Sequence, residues 1–408
     1  MATDRMYELA FQYKKTKLWK KLSDTDLFAV KLSDGQIGYC CVMGNAGKEN
    51  VVALYPGTQA LQGYQRLLDL ALNGCQTEAE LQDIFLSQNC LQCAFDTKDN
   101  LRQDELDEVR AYIKKHEITL RGANAFPQFI KFQPYYHPWY ISSELEQQYI
   151  CETLEACIAM ANLLEKQNKW ELGFSNHLPS DRTIPCLVKE GDGYTLSSTH
   201  LPAEIPPEYP SPVMRDEIAT ARLKKAKKKG ALQCRIIYLP VPIQDAEDMV
   251  PYYPALLAAA NTSTGEIYPM ESARYLEEHP EDFLNHFAQT LLMAEICPKT
   301  IYTNDQRTFE MLKHLCGAAG IQLTLTAEAL PALEEAIEFI TSTMLPESES
   351  DEMEEESLIF EAFDLIMNLS DKELKQLPKD MILQMLELAK DGLIPPEIEF
   401  KLRRALRK

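Results

Sequence analysis

Between Leu232 and Ile340 the sequence spells three short strands followed by helix, strand, helix, strand, helix. Cys234–Leu239, Ala255–Asn261 and Glu266–Met270 are the first three strands, the last two joined by the turn Thr262-Ser-Thr-Gly265. A helix over 280–296 repeats apolar pairs at Phe283/Leu284, Phe287/Ala288 and Leu291/Leu292, which lines one face at helical spacing. Thr300–Thr303 is a short strand and Arg307–Ala318 a helix, which Gly320 is placed to cap. Ile321–Leu325 and a helix over Ala332–Met344 close the series.

This βββαβαβα order is the connectivity of a ribonuclease-H-like domain, expected over 214–345. Its chemistry is a separate question. Two-metal phosphodiester hydrolysis needs several carboxylates converging on ions about 4 Å apart. In a nuclease of this fold the first acid stands mid-way along the first strand, where this chain reads Cys234-Arg-Ile-Ile-Tyr-Leu. The domain is therefore expected to be degenerate. An atypical metal site would have to draw on Asp305, Glu295 and Glu334. Asp305 is equally a good residue for starting the helix that contains Arg307.

The N-terminal region reads as a second α+β unit, over 1–170. A helix over 6–21 mixes aromatic and basic residues. The strands Leu27–Leu32, Ile37–Met43 and Val51–Tyr55 follow, separated by Asp-Gly and Asn/Gly-rich turns that favour hairpins. Gln59–Leu72 has helical apolar spacing, and Thr77 with Glu80 resembles a capping box for a helix at 78–87. A strand near Leu91–Phe95 and a helix at 103–115 precede the aromatic stretch Phe126–Tyr140. Ser143 and Glu146 form a further capping box, opening a helix to about Lys166. The order resembles that of the later domain; without residue identity this is weak evidence of duplication.

Residues 171–213 read as a connection, with a hairpin (Ile184–Glu190, Tyr194–Ser198) and prolines at 202, 206, 207, 210 and 212. Residues 346–357 are too acidic to pack and are expected to be a flexible linker, where proteolysis would release a helical tail over 358–408.

At 408 residues the chain suits two or three domains. The net charge of -21 opposes general attraction to nucleic acid or anionic membrane. No apolar run approaches the roughly 20 residues that span a bilayer, and the N-terminus lacks a secretory pattern. The cytoplasm is the expected location. The 11 cysteines are an odd number and many sit in apolar runs, as reduced core thiols do. The one CxxC, Cys90-Leu-Gln-Cys93, has no second pair to complete a zinc site. No cofactor is expected.

Gly44-Asn-Ala-Gly-Lys48 has neither the glycine spacing nor the hydroxyl of a P-loop and reads as a hairpin turn. Lys224, Lys225, Lys227, Lys228 and Lys229 could contact phosphates, although a solvated helix end is the favoured reading. Tyr135, Tyr136, His137, Trp139 and Tyr140 could stack on a ligand or partner; aromatics among prolines more often pin a loop.

Pro134-Tyr-Tyr-His-Pro-Trp-Tyr140, ahead of the Glu-rich start of a long helix, resembles a segment of an uncharacterised bacterial family. So does the run Pro298-Lys-Thr-Ile-Tyr-Thr-Asn-Asp305 with Gly320-Ile-Gln-Leu-Thr-Leu325 and Leu330-Pro-Ala-Leu-Glu-Glu-Ala336. That family comprises domains of unknown function, and the resemblance covers roughly residues 20–345. It implies no activity. The residues favour a non-enzymatic binding or scaffold protein with a protein partner. The alternatives are a nucleic-acid-processing enzyme built around Asp305, or a small-molecule sensor.

Overall fold

In the computed structural model, residues 2–344 are described, except 46–49, 75–77, 121, 123, 175–181, 192, 247–248, 269–271 and 274–275. Thr77, residues 46–48 of the P-loop-like turn, the acidic linker and the helical tail lie outside the described residues. The chain divides into two compact units, Met1–Ile337 and Glu338–Lys408; the first holds both of the sheets described below.

The first sheet has eight strands among the described residues, in the order β6-β5-β4-β3-β2-β1-β7-β8. Its strands are β1 (Phe28–Lys31), β2 (Ile37–Met43), β3 (Val51–Pro56), β4 (Cys90–Asp96), β5 (Phe126–Phe132), β6 (Trp139–Tyr140), β7 (Thr183–Glu190) and β8 (Gly193–His200). Neighbours are antiparallel except β7, which runs parallel to β1 with Ala29 opposite Cys186. The hairpin expected in the 171–213 connection thus extends this sheet.

Helices α1 (Asp4–Thr16), α4 (Gln103–Lys115) and α5 (Glu144–Leu163) cover one face. There Met6, Tyr13, Phe28, Leu54, Leu154 and Leu187 are buried in one cluster; a fully buried side chain of this size contributes about 1.5–3 kcal/mol. Helix α2 (Gly57–Asn73) covers the opposite face through Ala60, Leu61 and Tyr64, and α3 (Glu78–Leu86) follows it. The helix expected over 6–21 stops early because Lys17 adopts a left-handed conformation (φ 53°). Only half of the Ser143 capping box forms: its hydroxyl accepts from the Glu146 amide.

The second sheet has five strands among the described residues, in the order β11-β10-β9-β12-β13. They are β9 (Ala231–Tyr238), β10 (Ala255–Asn261), β11 (Ser272–Ala273), β12 (Thr300–Thr303) and β13 (Gln322–Leu325). β9, β10 and β11 pair antiparallel; β12 pairs parallel with β9, and β13 parallel with β12. Of the expected third strand, Glu266–Met270, Pro269 and Met270 lie outside the described residues. Ile267 makes an isolated bridge to Ala260. The third strand of this sheet is Ser272–Ala273, opposite Leu256 and Ala255.

Alternation along β9 sends Leu232, Cys234, Ile236 and Tyr238 into a core with α6 (Glu217–Lys225), α7 (Pro280–Met293) and α8 (Gln306–Ala319). Gln233 and Arg235 point to the other face, toward the start of α9 (Pro331–Met344): the Gln233 amide oxygen accepts from the Leu333 N–H and Arg235 bonds Glu334. Gly320 ends α8 at φ 67°, as a helix-terminating glycine does.

Candidate functional site

Asp305 caps α8 by accepting from the Thr308 amide at 2.8 Å. The cap sets Arg307 in the first turn, where it is 3% exposed. Its guanidinium donates to Glu277 at 2.6 Å and to Asp83, Tyr135 and Tyr238. The rings of Tyr135, Tyr209 and Tyr238 lie 4.7, 4.9 and 5.1 Å from it, within cation–π range. Tyr135 and Tyr238 stack with centroids 4.5 Å apart.

Four further elements bring these partners together. On α3, Gln82 clamps the Tyr238 backbone, its amide donating to the carbonyl at 2.7 Å, while its neighbour Asp83 turns to Arg307. On α2, Arg66 donates to Asp83 at 2.6 Å and to Ser87 at 2.9 Å. The loop after β5 holds Tyr135 in a left-handed conformation (φ 65°), its N–H on Leu86 O and its carbonyl accepting from the Tyr253 N–H. From the proline-rich segment, Tyr209 donates to Asp83 at 3.2 Å.

Two arginines therefore face two carboxylates. Burial would raise the Asp83 pKa, but Arg307 and Arg66 together hold it below the usual aspartate value. Burial dominates at Glu277 and raises its pKa in spite of Arg307. Burial also pushes the Tyr209 hydroxyl up to about 12. Burial opposes the Arg307 charge, which Tyr238, Tyr135, Asp83 and Glu277 nevertheless hold in place.

Beside this cluster opens a cleft of about 590 Å³, lined by Gln59, Gln62, Asn89, Tyr135, Pro207 and Tyr209 among others. The proline-rich segment is gripped by its main chain. Gln65 donates to Pro202 O at 3.1 Å, and the Ile205 amide donates to the Gln62 side chain at 2.9 Å.

The expected aromatic set is divided. Tyr135 belongs to the arginine cluster. Tyr136 bonds Glu278 at 3.4 Å, and its neighbour His137 meets the Tyr253 hydroxyl at 3.1 Å. Burial, then Arg102, lowers the His137 pKa. Trp139 and Tyr140 lie on β6, around the Arg102 guanidinium at 4.5 and 3.4 Å; the Tyr140 hydroxyl bonds Asp104.

The lysines end a helix. Lys224 and Lys225 close α6, and Lys228 donates to Leu223 O at 3.1 Å. Lys227 and Lys229 are exposed just beyond it. The three acids do not converge. Asp305 is a cap, Glu334 forms a two-pronged pair with Arg235 at 3.1 and 2.6 Å, and Glu295 follows α7. Among the described residues no group of three or more His, Cys, Asp or Glu is placed to hold a metal ion. Arg66, Asp83, Tyr209, Tyr238 and Glu277 carry no local sequence signal. The local hint to the cluster was Arg307, two residues after a helix-capping aspartate.

Residues 4–178, which contain α1 to α5 and the first six strands, match the family model described as domain of unknown function DUF7309. Residues 219–341 match domain of unknown function DUF6930. The chain carries both domains. Together they cover most of it, and the β7–β8 hairpin and the proline-rich segment lie between the two matches. No curated protein matches the chain. Among solved structures, the catalytic core domain of BIV integrase is 14% identical over 26% of this chain and 61% of its own, with a TM-score of 0.20. A chain of the simian T-cell lymphotropic virus intasome in complex with PP2A regulatory subunit B56 gamma is 11% identical over 40% of this chain and 49% of its own, with a TM-score of 0.21. This chain spans about three fifths and about half of the length of those two chains.

Proposed function

We propose that this is a non-enzymatic binding protein, acting in the cytoplasm, that receives an extended segment of a protein partner in the cleft beside Arg307. The observation that carries this reading is the cleft's own wall. It already holds a proline-rich segment through main-chain bonds to Gln62 and Gln65, and that segment's Tyr209 lines the cleft together with Tyr135. Proline-rich segments are low-entropy ligands for aromatic-lined grooves. Arg66, Asp83, Glu277 and Arg307, which line the cleft, are committed to one another, which leaves Gln59, Asn89 and the tyrosine ring faces for a ligand.

In the same reading the second sheet is a ribonuclease-H-like domain that has lost its chemistry. The strand order 3-2-1-4-5, with two parallel additions, supports the architecture. Arg235 in the first strand, paired with Glu334, supports the loss. A reducing compartment suits the ten described cysteines, all free. No helix among the described residues is long and apolar enough to cross a membrane.

The test is selection of displayed peptides on the immobilised protein, run beside Gln59→Trp, which adds a large ring to the cleft lining. Peptides that bind the wild type and not the variant support the reading; failure to enrich any would sink it. Cleavage of an oligonucleotide with Mg²⁺ or Mn²⁺, abolished by Asp305→Asn, would install the enzyme reading instead.

A further inference from the structure

The eight-stranded sheet ends differently at its two edges. β6 is two residues long, which is one way proteins blunt an edge. β8 is eight residues long, and it is the terminal strand of the sheet among the described residues. Its sequence, Gly193-Tyr-Thr-Leu-Ser-Ser-Thr-His200, carries none of the usual protection: no lysine, no other permanent charge, no proline. Its register with β7 runs unbroken from Glu190 opposite Gly193 to Thr183 opposite His200, so no bulge turns the edge away.

The geometry of the hairpin identifies the outward groups. Glu190 and Gly193 flank a two-residue turn and so form a hydrogen-bonded pair, after which bonded and non-bonded pairs alternate. Odd-numbered residues of β8 therefore bond β7. Tyr194, Leu196 and Ser198 direct their N–H and C=O groups away from the sheet. Leu196, 39% exposed, sits midway among them, on the face where its neighbour across the pair, Leu187, is buried.

We propose that β8 is a self-association edge: a second copy docks its own β8 antiparallel about a two-fold axis at Leu196, joining two eight-stranded sheets into one. The pairing sets Leu196 opposite Leu196 and Tyr194 opposite Ser198, each pair exchanging two N–H···O bonds. A two-fold arrangement preserves the faces of both sheets, and an uncharged strand meets an uncharged strand with no like charges opposed. An acidic or basic peptide would find no charge complement here. The unequal edges also favour closure. β8 on β8 is isologous and ends at the dimer, whereas β8 on the two-residue β6 would build an open chain from a very short ladder.

One strand pair is small beside a standard interface, so the dimer is concentration-dependent. Sedimentation velocity over a wide concentration range, with Leu196→Lys and Leu196→Pro, tests it. Proline removes an N–H that β7 does not use, so the hairpin is retained. The expected result is a wild-type dimer whose dissociation constant rises at least roughly tenfold in both variants, with melting temperature unchanged at concentrations where the wild type is monomeric. Amide exchange at Tyr194, Leu196 and Ser198 should also accelerate on dilution, a readout that needs no variant. A wild-type chain that stays monomeric, or a dimer that persists in both variants, overturns the proposal.

Discussion

Arg307 at the start of α8 and Asp83 in α3 form a buried ion pair across 224 residues of sequence, tying the second sheet to the helices of the first. The pair sits in a balanced set, with Arg66 on the far oxygen of Asp83 and Glu277 on the other side of Arg307. Removing one member of such a set leaves its partners charged and buried.

Arg307→Met should therefore cost about 3–5 kcal/mol, the penalty for an uncompensated buried charge. Arg307→Lys keeps the charge but cannot serve Asp83 and Glu277 with a planar fork, so it should recover part of the loss. Urea denaturation of the three proteins checks both statements; equal stability for wild type and Arg307→Met would refute them.

Acid should act through the same carboxylates, with opposite signs. The Asp83 pKa is depressed below its unfolded value of about 3.9, so its contribution is present above that pH and is lost as pH falls through the folded value. The Glu277 pKa is raised, so its contribution is present below about 4.3 and fades as pH rises through the folded value. Stability measured against pH should show an acid limb below about pH 4 that flattens in Asp83→Asn. An unchanged limb would mean that the pair is not formed in solution.

Much of the fold is legible because its signals are local. β2, β10 and β12 have the bounds that apolar runs and turn residues predict, and α4 does too. The turn at Gly191 marks the β7–β8 hairpin, but nothing local says that β7 lies parallel beside β1. The site was harder to read for the same reason. Arg66, Asp83, Tyr209, Tyr238 and Glu277 are unremarkable in their own stretches and acquire meaning through long-range packing. The aromatic stretch drew notice as one block, yet its strand pairing sends Tyr135 to Arg307 and Trp139 to Arg102.

The proline-rich segment is held by few bonds, and these are exposed or half-buried. Gln62→Ala removes the acceptor of the Ile205 amide, a loss of about 0.5–1.5 kcal/mol. Proteolysis between Pro202 and Pro212 should accelerate while the global unfolding midpoint moves little. Cleavage at the wild-type rate would show that the segment is held elsewhere.

Glu334 offers the sharpest contrast between a structural and a metal-binding carboxylate. Arg235 is 2% exposed and Glu334 is its two-pronged acceptor, although the glutamate side chain is 44% exposed and partly screened. Glu334→Gln should then destabilise by about 1–2 kcal/mol, less than for a fully buried pair because solvent reaches the carboxylate. Replacing both partners, Arg235→Met with Glu334→Gln, should cost less than the sum of the single changes, since neither leaves the other stranded. A metal ligand would behave differently: Mg²⁺ or Mn²⁺ would raise the wild-type melting temperature and leave Glu334→Gln unmoved. Equal melting temperatures with and without either ion, together with the non-additive double change, assign Glu334 to holding Arg235.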